Sequence, residues 1–380
     1  LGPDPVLLVC ALLLMTAGTL AVYAATRDGL LAQHRSGTYY LKRDLLNSAI
    51  GLVLAWAASR VRLRSAAHLL PWAYLGAVVL LLAVLTPLGA TINGAHAWFR
   101  VGPVELEPSE FCKILLILIT AHLLAPATTD AQATPQLRDL MLVLASLALI
   151  VLLVFAEPAL GVAIVLLFIV ATQIAVRGVP WPWLLGLLVA AVLTVGVATQ
   201  GHLIRPYQEA RFTSFLNPRT DRSGNGYHLQ QSEIAIGSGG LLGQGFLHGE
   251  QTNNGFVPEQ QTDFIFSVIG EESGFVGSSV LLILFALLCN RALGIARRAA
   301  DHTSSLVATG VTIWYASQLF INVGMTMGLA PVTGLPLPFV SYGGSALFAN
   351  LIGIGLLLGI ARSTSAERAP SSAGRLLSQA

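Results

Sequence analysis

The sequence predicts an all-α integral membrane protein of ten transmembrane helices, with a long extracytoplasmic loop between helices seven and eight. Three observations predict it. Only 11% of the residues are charged, against about 25% in a soluble domain. Apolar runs long enough to cross a bilayer as a helix recur along the whole chain. Polar residues collect in the joints between those runs, apart from a few isolated charges inside them.

The first span, about Val6 to Ala25, has neither a basic stretch before it nor a small-residue cleavage site after it, so it reads as an anchor. A charged loop from Arg27 to Asp44 leads to span two, Leu45 to Ala58. Arg60, Arg62 and Arg64 make a basic turn before span three, Ala67 to Thr86. Residues 87–109 read as a polar loop, and span four, Glu110 to Leu124, carries Lys113 inside its apolar run. Only Glu157 and Pro158 separate span five (Leu137 to Ala156) from span six (Ala159 to Val176). Such a break is tolerated where neighbouring protein or a cavity satisfies the freed backbone. Span seven, Trp181 to Ala198, opens on Trp181 and Trp183, residues suited to a membrane interface. A polar insert covers 201–263. Spans eight (Phe264 to Cys289), nine (Leu306 to Met327) and ten (Ser345 to Ile360) complete the set. The chain is thus expected to be one polytopic domain over 1–362, followed by a disordered, solvated tail at 363–380.

Ten spans put both termini on one side. The loops on that side hold Arg60, Arg62, Arg64, Arg138, Arg177, Arg291, Arg297 and Arg298, with Arg362, Arg368 and Arg375 in the tail. The short loops opposite hold Arg27, Arg35, Lys42, Arg43 and Arg100. The excess of basic residues puts the termini in the cytoplasm. Parity then gathers residues 87–109, the break at Glu157, the insert and residues 328–344 on the outer face. A net charge of +2 with no basic stripe speaks against nucleic acid. Cys10, Cys112 and Cys289 fall in apolar spans without CxxC spacing, and His96, His202, His228 and His248 are scattered, so neither a disulfide framework nor a metal motif is legible.

The stretch with most chemistry is PEQQTDFIFSVIGEESGFVG, Pro258 to Gly277. Thr262 or Asp263 is expected to cap span eight, where a short oxygen accepts a free helical N–H. Asp263 would then stand at the membrane boundary and the positive end of a helix dipole, placed to receive a proton from a bound alcohol. A plain cap explains it equally well. Glu110 and Lys113 share one helix face. A lysine within a span costs roughly 3 kcal/mol to insert, so it needs an ion pair, a cavity or an anionic ligand. Glu157, Glu271 and Glu272 are candidates on the same ground. Asp263 and Glu271 lie about 12 Å apart along a helix, too far for a dyad, and Glu271 and Glu272 are expected to hold helices together. Within the insert, Arg205, Arg211, Arg219 and Arg222 alternate with Tyr207, Phe212, Phe215 and Tyr227. Arginine suits phosphate and aromatic faces suit sugars or lipid. The runs Gly237 to Gly240 and Gly243 to Gly245 could turn backbone N–H groups toward an anion, although a solvated loop is the ordinary explanation.

The run from Asn322 to Ala346, NVGMTMGLAPVTGLPLPFVSYGGSA, resembles the long signature of the SEDS family (RodA, FtsW, SpoVE). Asn93 to Trp98, Pro108 to Lys113, Gly224 to Ser232 and Pro258 to Gly277 agree with it, so the resemblance covers essentially the whole chain. Short tails make the RodA branch the most similar. The resemblance implies a ten-helix glycosyltransferase that polymerises lipid II on the extracytoplasmic face, in cell-wall elongation and cell shape, beside a class B penicillin-binding protein. It carries the family's essential aspartate onto Asp263 and its Glu/Lys pair onto Glu110 and Lys113. Arg211, Glu259, Thr262, Ser341 and Tyr342 are the further substrate-binding candidates, and a divalent cation, Mg or Mn, is a candidate on the pyrophosphate. Two departures stand out. Gln261 replaces a histidine that is common in the family, and Ala159 stands where the family has an aspartate, which leaves Glu157 as the nearest acid. A lipid II flippase, suggested by broken helices and intramembrane charge, and a non-enzymatic scaffold for the penicillin-binding protein are the competing readings.

Overall fold

The computed structural model describes residues 4–92, 95–102, 104–125, 135–157, 159–187, 189, 215 and 224–368. Its helices are α1 (Pro5–Ala32), α2 (Tyr39–Ala58), α3 (Leu63–Val84), α4 (Pro108–Leu124), α5 (Leu137–Ala156), α6 (Leu160–Val176), α7 (Asn225–Ser238), α8 (Glu250–Asn253), α9 (Ile265–Arg298), α10 (His302–Thr326) and α11 (Gly344–Arg368). Among the described residues, six (α1, α3, α5, α9, α10 and α11) are long and apolar enough to cross a membrane. The protein is therefore a multi-pass membrane protein. The other expected spans fall on α2, α4 and α6, which are shorter or more charged, and on a helix that begins at residues 181–187.

Helix α10 forms the centre. It packs on α4, α6, α9 and α11, while α1 lies along α9 and α2 along α11. Trp314 and Tyr315, both on α10, are among the largest fully buried side chains. Local chemistry sets the helix ends at one face of the bundle. Asp301 caps α10 by accepting from Ser304 N at 3.0 Å, and Asp4 caps α1 by accepting from Leu7 N at 3.3 Å, as short acceptors do. Asp4 also takes the Arg291 guanidinium at 2.7 Å, which ties the start of α1 to the last turns of α9.

The structure departs from the sequence expectations in four places. Residues 87–109 are not a plain loop: they hold a three-stranded antiparallel sheet of β1 (Ala90–Ile92), β2 (Ala95–Val101) and β3 (Val104–Leu106). Helix α9 starts at Ile265 with Phe264 as its cap residue, so neither Thr262 nor Asp263 caps it. The same helix runs on to Arg298 and is broken at Gly274, whose φ of 65° and ψ of −162° only glycine adopts readily. Residues 363–368, expected in a loose tail, continue α11. The insert holds α7 and α8, and most of its remainder lies outside the described residues.

Candidate functional site

Asp263 sits in a turn between α8 and α9 that is held by its backbone. Three successive carbonyls are each bonded to a different group near the end of α10 or in the segment after it. Tyr342 N donates to Gln261 O at 2.9 Å, Ser341 Oγ to Thr262 O at 2.5 Å, and Asn322 Nδ2 to Asp263 O at 2.9 Å. One residue earlier, the buried Gln260 amide donates to Ala25 O at 2.6 Å and Thr252 O at 3.0 Å. Bonded carbonyls leave the turn little freedom, and the Asp263 side chain is half-buried at its end. The turn also bends through Glu259, which takes φ of 52°, and its partner segment through Phe339 at 65°. Left-handed non-glycine residues are costly and persist where surrounding contacts impose them, often at functional sites. Thr262 Oγ1 donates to Glu259 O at 3.1 Å, which closes the turn on itself.

Beneath this turn lies a closed polar cluster. Lys113 Nζ donates to both Glu110 oxygens at 2.8 Å and to Gln318 Oε1 at 3.1 Å. It also lies 5.1 Å from the centre of the Trp314 ring, within cation–π range. The lysine is fully buried and the glutamate nearly so. The pair is therefore closed in this conformation, and an anion would reach Lys113 only by displacing Glu110. Gln318 donates in turn to Pro336 O at 2.7 Å, and Asn322, one turn further along α10, donates to Leu335 O at 2.7 Å. These two amides connect the ion pair, the segment after α10 and the Asp263 turn.

Glu107, just before α4, completes the surroundings. Burial and then the Glu110 charge push its carboxyl up to about 7, with Ser109 and Lys113 pulling the other way and Asp263 adding to the rise. The Glu107 backbone N donates to Ser345 Oγ at 3.0 Å, and that hydroxyl donates to Glu105 O at 3.0 Å, so α11 holds the sheet and the start of α4 together. Tyr342 packs edge-on against Tyr40 with ring centres 4.9 Å apart. Glu157 is fully buried at the end of α5, and neither of its oxygens has a hydrogen-bond partner among the described residues.

The structure thus brings Asp263, Glu259, Thr262, Ser341 and Tyr342 into one turn-and-clamp unit, with Glu110 and Lys113 below it. Arg211 lies outside the described residues. Glu271 joins α9 to the short helix α8, as expected, while Glu272 ties α9 to the loop before α8. Glu271 accepts from Gln251 N, Thr252 N and Thr252 Oγ1 at 2.7, 2.9 and 2.6 Å, and Glu272 from Leu247 N at 3.2 Å, so both hold the segment before the site. The glycine-rich segment is neither a solvated loop nor turned toward an anion but packs on α9: Gln244 N and Gly245 N donate to Glu271 O and Glu272 O. Among the described residues, no group of three or more His, Cys, Asp or Glu is placed to hold a metal ion. Sequence reasoning missed Gln318, Asn322, Gln260 and Glu107. The first two carried a usable signal, since amides one turn apart inside an apolar helix need partners.

A family model described as a cell cycle protein, FtsW/RodA/SpoVE, matches residues 4–366. The chain is 36% identical to a probable peptidoglycan glycosyltransferase FtsW of Coxiella burnetii, over 95% of this chain and 96% of the relative. It is equally 36% identical to the peptidoglycan glycosyltransferase MrdB of Escherichia coli, over 94% and 93%. A solved structure described as "Structural coordination of polymerization and crosslinking by a peptidoglycan synthase complex" superposes with a TM-score of 0.79 at 33% identity, covering 96% of this chain and 98% of that one. On this length of match, fold and sequence together, the chain belongs to the FtsW/RodA/SpoVE family.

Proposed function

We propose that the protein is a peptidoglycan glycosyltransferase that polymerises lipid II on the extracytoplasmic face of the bacterial cytoplasmic membrane, with Asp263 as general base. The observation that carries the reading is the match to relatives named as that enzyme over nearly their whole length. The clamped Asp263 turn supports the assignment of the base, because a base must be held within hydrogen-bond reach of the proton it removes.

In lipid II the sugar is α-linked to undecaprenyl pyrophosphate, and in the polymer it is β-1,4-linked, so the anomeric carbon inverts. A single displacement does this. The acceptor 4-hydroxyl oxygen attacks the anomeric carbon, its proton passes to the Asp263 carboxylate, and the bond to the pyrophosphate oxygen breaks with its electron pair. General-base action of this kind contributes about 10²–10⁴-fold. Arg211 is assigned to the leaving pyrophosphate, since a guanidinium binds such oxygens in pairs. Lys113 would join it only on exchanging Glu110 for substrate. Glu259, Thr262, Ser341 and Tyr342 would line the approach. A cation of the Mg or Mn type would ride on the pyrophosphate oxygens, as the described residues form no ligand set for it, and no step depends on it.

The ten-span topology, with termini in the cytoplasm and a class B penicillin-binding protein as partner, belongs to the same proposal. So does a role in elongation, although the MrdB and FtsW relatives match equally well. The test is polymerisation of lipid II by the purified protein in detergent, with the partner present and its transpeptidase site blocked. Glycan strands are expected. Absence of polymer, with transbilayer movement of labelled lipid II in vesicles that survives Asp263→Ala, would overturn the enzyme in favour of transport.

A further inference from the structure

We infer that the tip of the segment between α7 and α8, carrying Leu241, Leu242 and Phe246, is immersed in the acyl chains of the leaflet on the Asp263 side.

Two helices supply a ruler for depth. The Asp4–Arg291 pair marks one membrane boundary, because Asp4 caps α1 at the first residue before its apolar run and Arg297 and Arg298 lie beyond it on α9. Along α1, Ala25 stands twenty-one residues further on, a rise of about 32 Å at 1.5 Å per residue. Its carbonyl accepts from Gln260. That rise matches the roughly 30 Å hydrocarbon thickness, so the Gln260–Asp263 turn lies at the opposite boundary. Along α9, Phe275 stands only sixteen residues from Arg291, a rise of about 24 Å. Phe275 N and Val276 N donate to Gly240 O and Leu241 O at 2.9 and 3.0 Å. The tip is therefore level with Phe275, inside the hydrocarbon and below the Asp263 turn. Helix tilt shortens both rises together and keeps that order.

The leucines and phenylalanine at this level are apolar and open, and the exposed Gln244 among them donates its Nε2 to Ser238 Oγ at 2.8 Å. Leu241 is 71% exposed, Leu242 79% and the neighbouring Phe275 67%. They are continuous with Val276, Val280, Ile283 and Leu287, an exposed stripe at helical spacing down the same spanning helix. Such a stripe on a membrane-crossing helix faces lipid, and the tip extends it.

The backbone meets the condition that lipid imposes. Irregular chain survives at membrane depth only where its polar groups are satisfied by protein. Gly243 N donates to Gly239 O at 2.8 Å, Gln244 N to Glu271 O at 2.9 Å and Gly245 N to Glu272 O at 3.0 Å. Gly243 (φ +80°) and Gly274 (φ +65°) approach so closely that a Cβ on either would collide with the other segment's backbone. The break in α9 at Gly274 frees the peptide groups that the tip uses. The glycine-rich run and the helix break are therefore two halves of one fitting.

The test is nitroxide accessibility on the full chain in phosphatidylcholine vesicles, with Cys10, Cys112 and Cys289 replaced by alanine. Labels go on Leu242→Cys, on Ile283→Cys as the lipid-facing reference, and on Leu329→Cys, 74% exposed just beyond α10, as the water-facing one. Ile283 also reports that the cysteine-free protein has inserted. Oxygen is expected to reach Leu242 and Ile283 several-fold better than a water-soluble nickel chelate does, with the order reversed at Leu329. Nickel access at Leu242 equal to that at Leu329 would put the tip in water. Exclusion of both reagents would put it under protein. Either result overturns the inference.

Discussion

Replacing Lys113 tests whether the cluster below Asp263 is as desolvated as it looks. Lys113→Met removes three donors from fully buried acceptors, two on Glu110 and one on Gln318. Breaking a buried pair from one side typically costs about 3–5 kcal/mol, because the remaining charge is stranded. A stranded carboxylate escapes by taking up a proton. For an ordinary glutamate that costs about 3.7 kcal/mol at pH 7 and about 1 kcal/mol at pH 5, from a reference pKa of 4.3 at 1.36 kcal/mol per unit. The single variant is therefore expected to lose much of its stability at pH 7 and to recover most of it at pH 5. Adding Glu110→Gln removes the charge altogether. The double variant should come within about 2 kcal/mol of the parent at both pH values, the residue being imperfectly bonded amides. The assay is thermal unfolding in detergent at a fixed scan rate, followed by tryptophan fluorescence, which Trp314 beside the lysine makes sensitive to this cluster. A single variant as stable as the parent at pH 7, or a double variant no better than the single, would refute the reasoning. Polymerisation by the double variant addresses function. It is expected to be lost, and full activity would reduce the pair to a fold element.

Asp263→Asn is expected to abolish polymerisation, a loss of at least about 10²-fold for a general base, while leaving the thermal midpoint unchanged; retention of a tenth of the activity would remove Asp263 from that role. Asn322→Ala cuts the bonds to Asp263 O and Leu335 O, and is expected to lower kcat with little change in KM, since it displaces the base and leaves substrate contacts alone; an equal change in both would argue for general unfolding. Glu107 contributes a pH dependence whose sign is fixed by its raised value of about 7. The fold favours its protonated form, so that stability is complete below the ordinary glutamate range and is lost as pH rises through about 7. Glu107→Gln should flatten the thermal midpoint between pH 5 and 8, and an unchanged slope would assign the dependence elsewhere.

The helices were legible because membrane crossing demands long apolar runs, and a sequence states that demand residue by residue. Signals that a membrane chain makes easy to discount were weaker. Asn93-Gly94 is a hairpin signature, and Ile92 pairs with Ala95 on either side of it in the sheet, yet a polar stretch between spans reads first as loop. The N-cap rule failed at Asp263 for a different reason. Glu259 in a left-handed conformation lets Phe264 N bond back to Glu259 O at 3.4 Å, so the chain stays in a turn until Ile265. The glycine runs show how one sequence feature admits two uses. Small residues expose N–H groups to whatever approaches, and here the approaching group is the broken α9 and not an anion.

The clamp on the Asp263 turn could not be read from the chain, and the reason is physical. Its acceptors are backbone carbonyls and one donor is the Tyr342 backbone N, groups nearly every residue possesses, so residue identity marks only the Ser341 and Asn322 side chains. Asn322 and Asp263 lie 59 residues apart, and nothing in either neighbourhood names the other. What the sequence does display is the cost: Gln318 and Asn322 are fully buried amides in a helix apolar enough to cross a membrane. An apolar residue at either place would be easier to insert into a membrane. Their presence is explained by what they hold: removing Asn322 takes the donor from carbonyls on two separate segments, and removing Gln318 takes the donor from Pro336 O and an acceptor from Lys113. The ion pair, the segment after α10 and the turn carrying Asp263 are thus positioned from one helix. A substitution at Gln318 should therefore act on both Lys113 and Pro336 at once, lowering activity through a residue that touches no reacting atom.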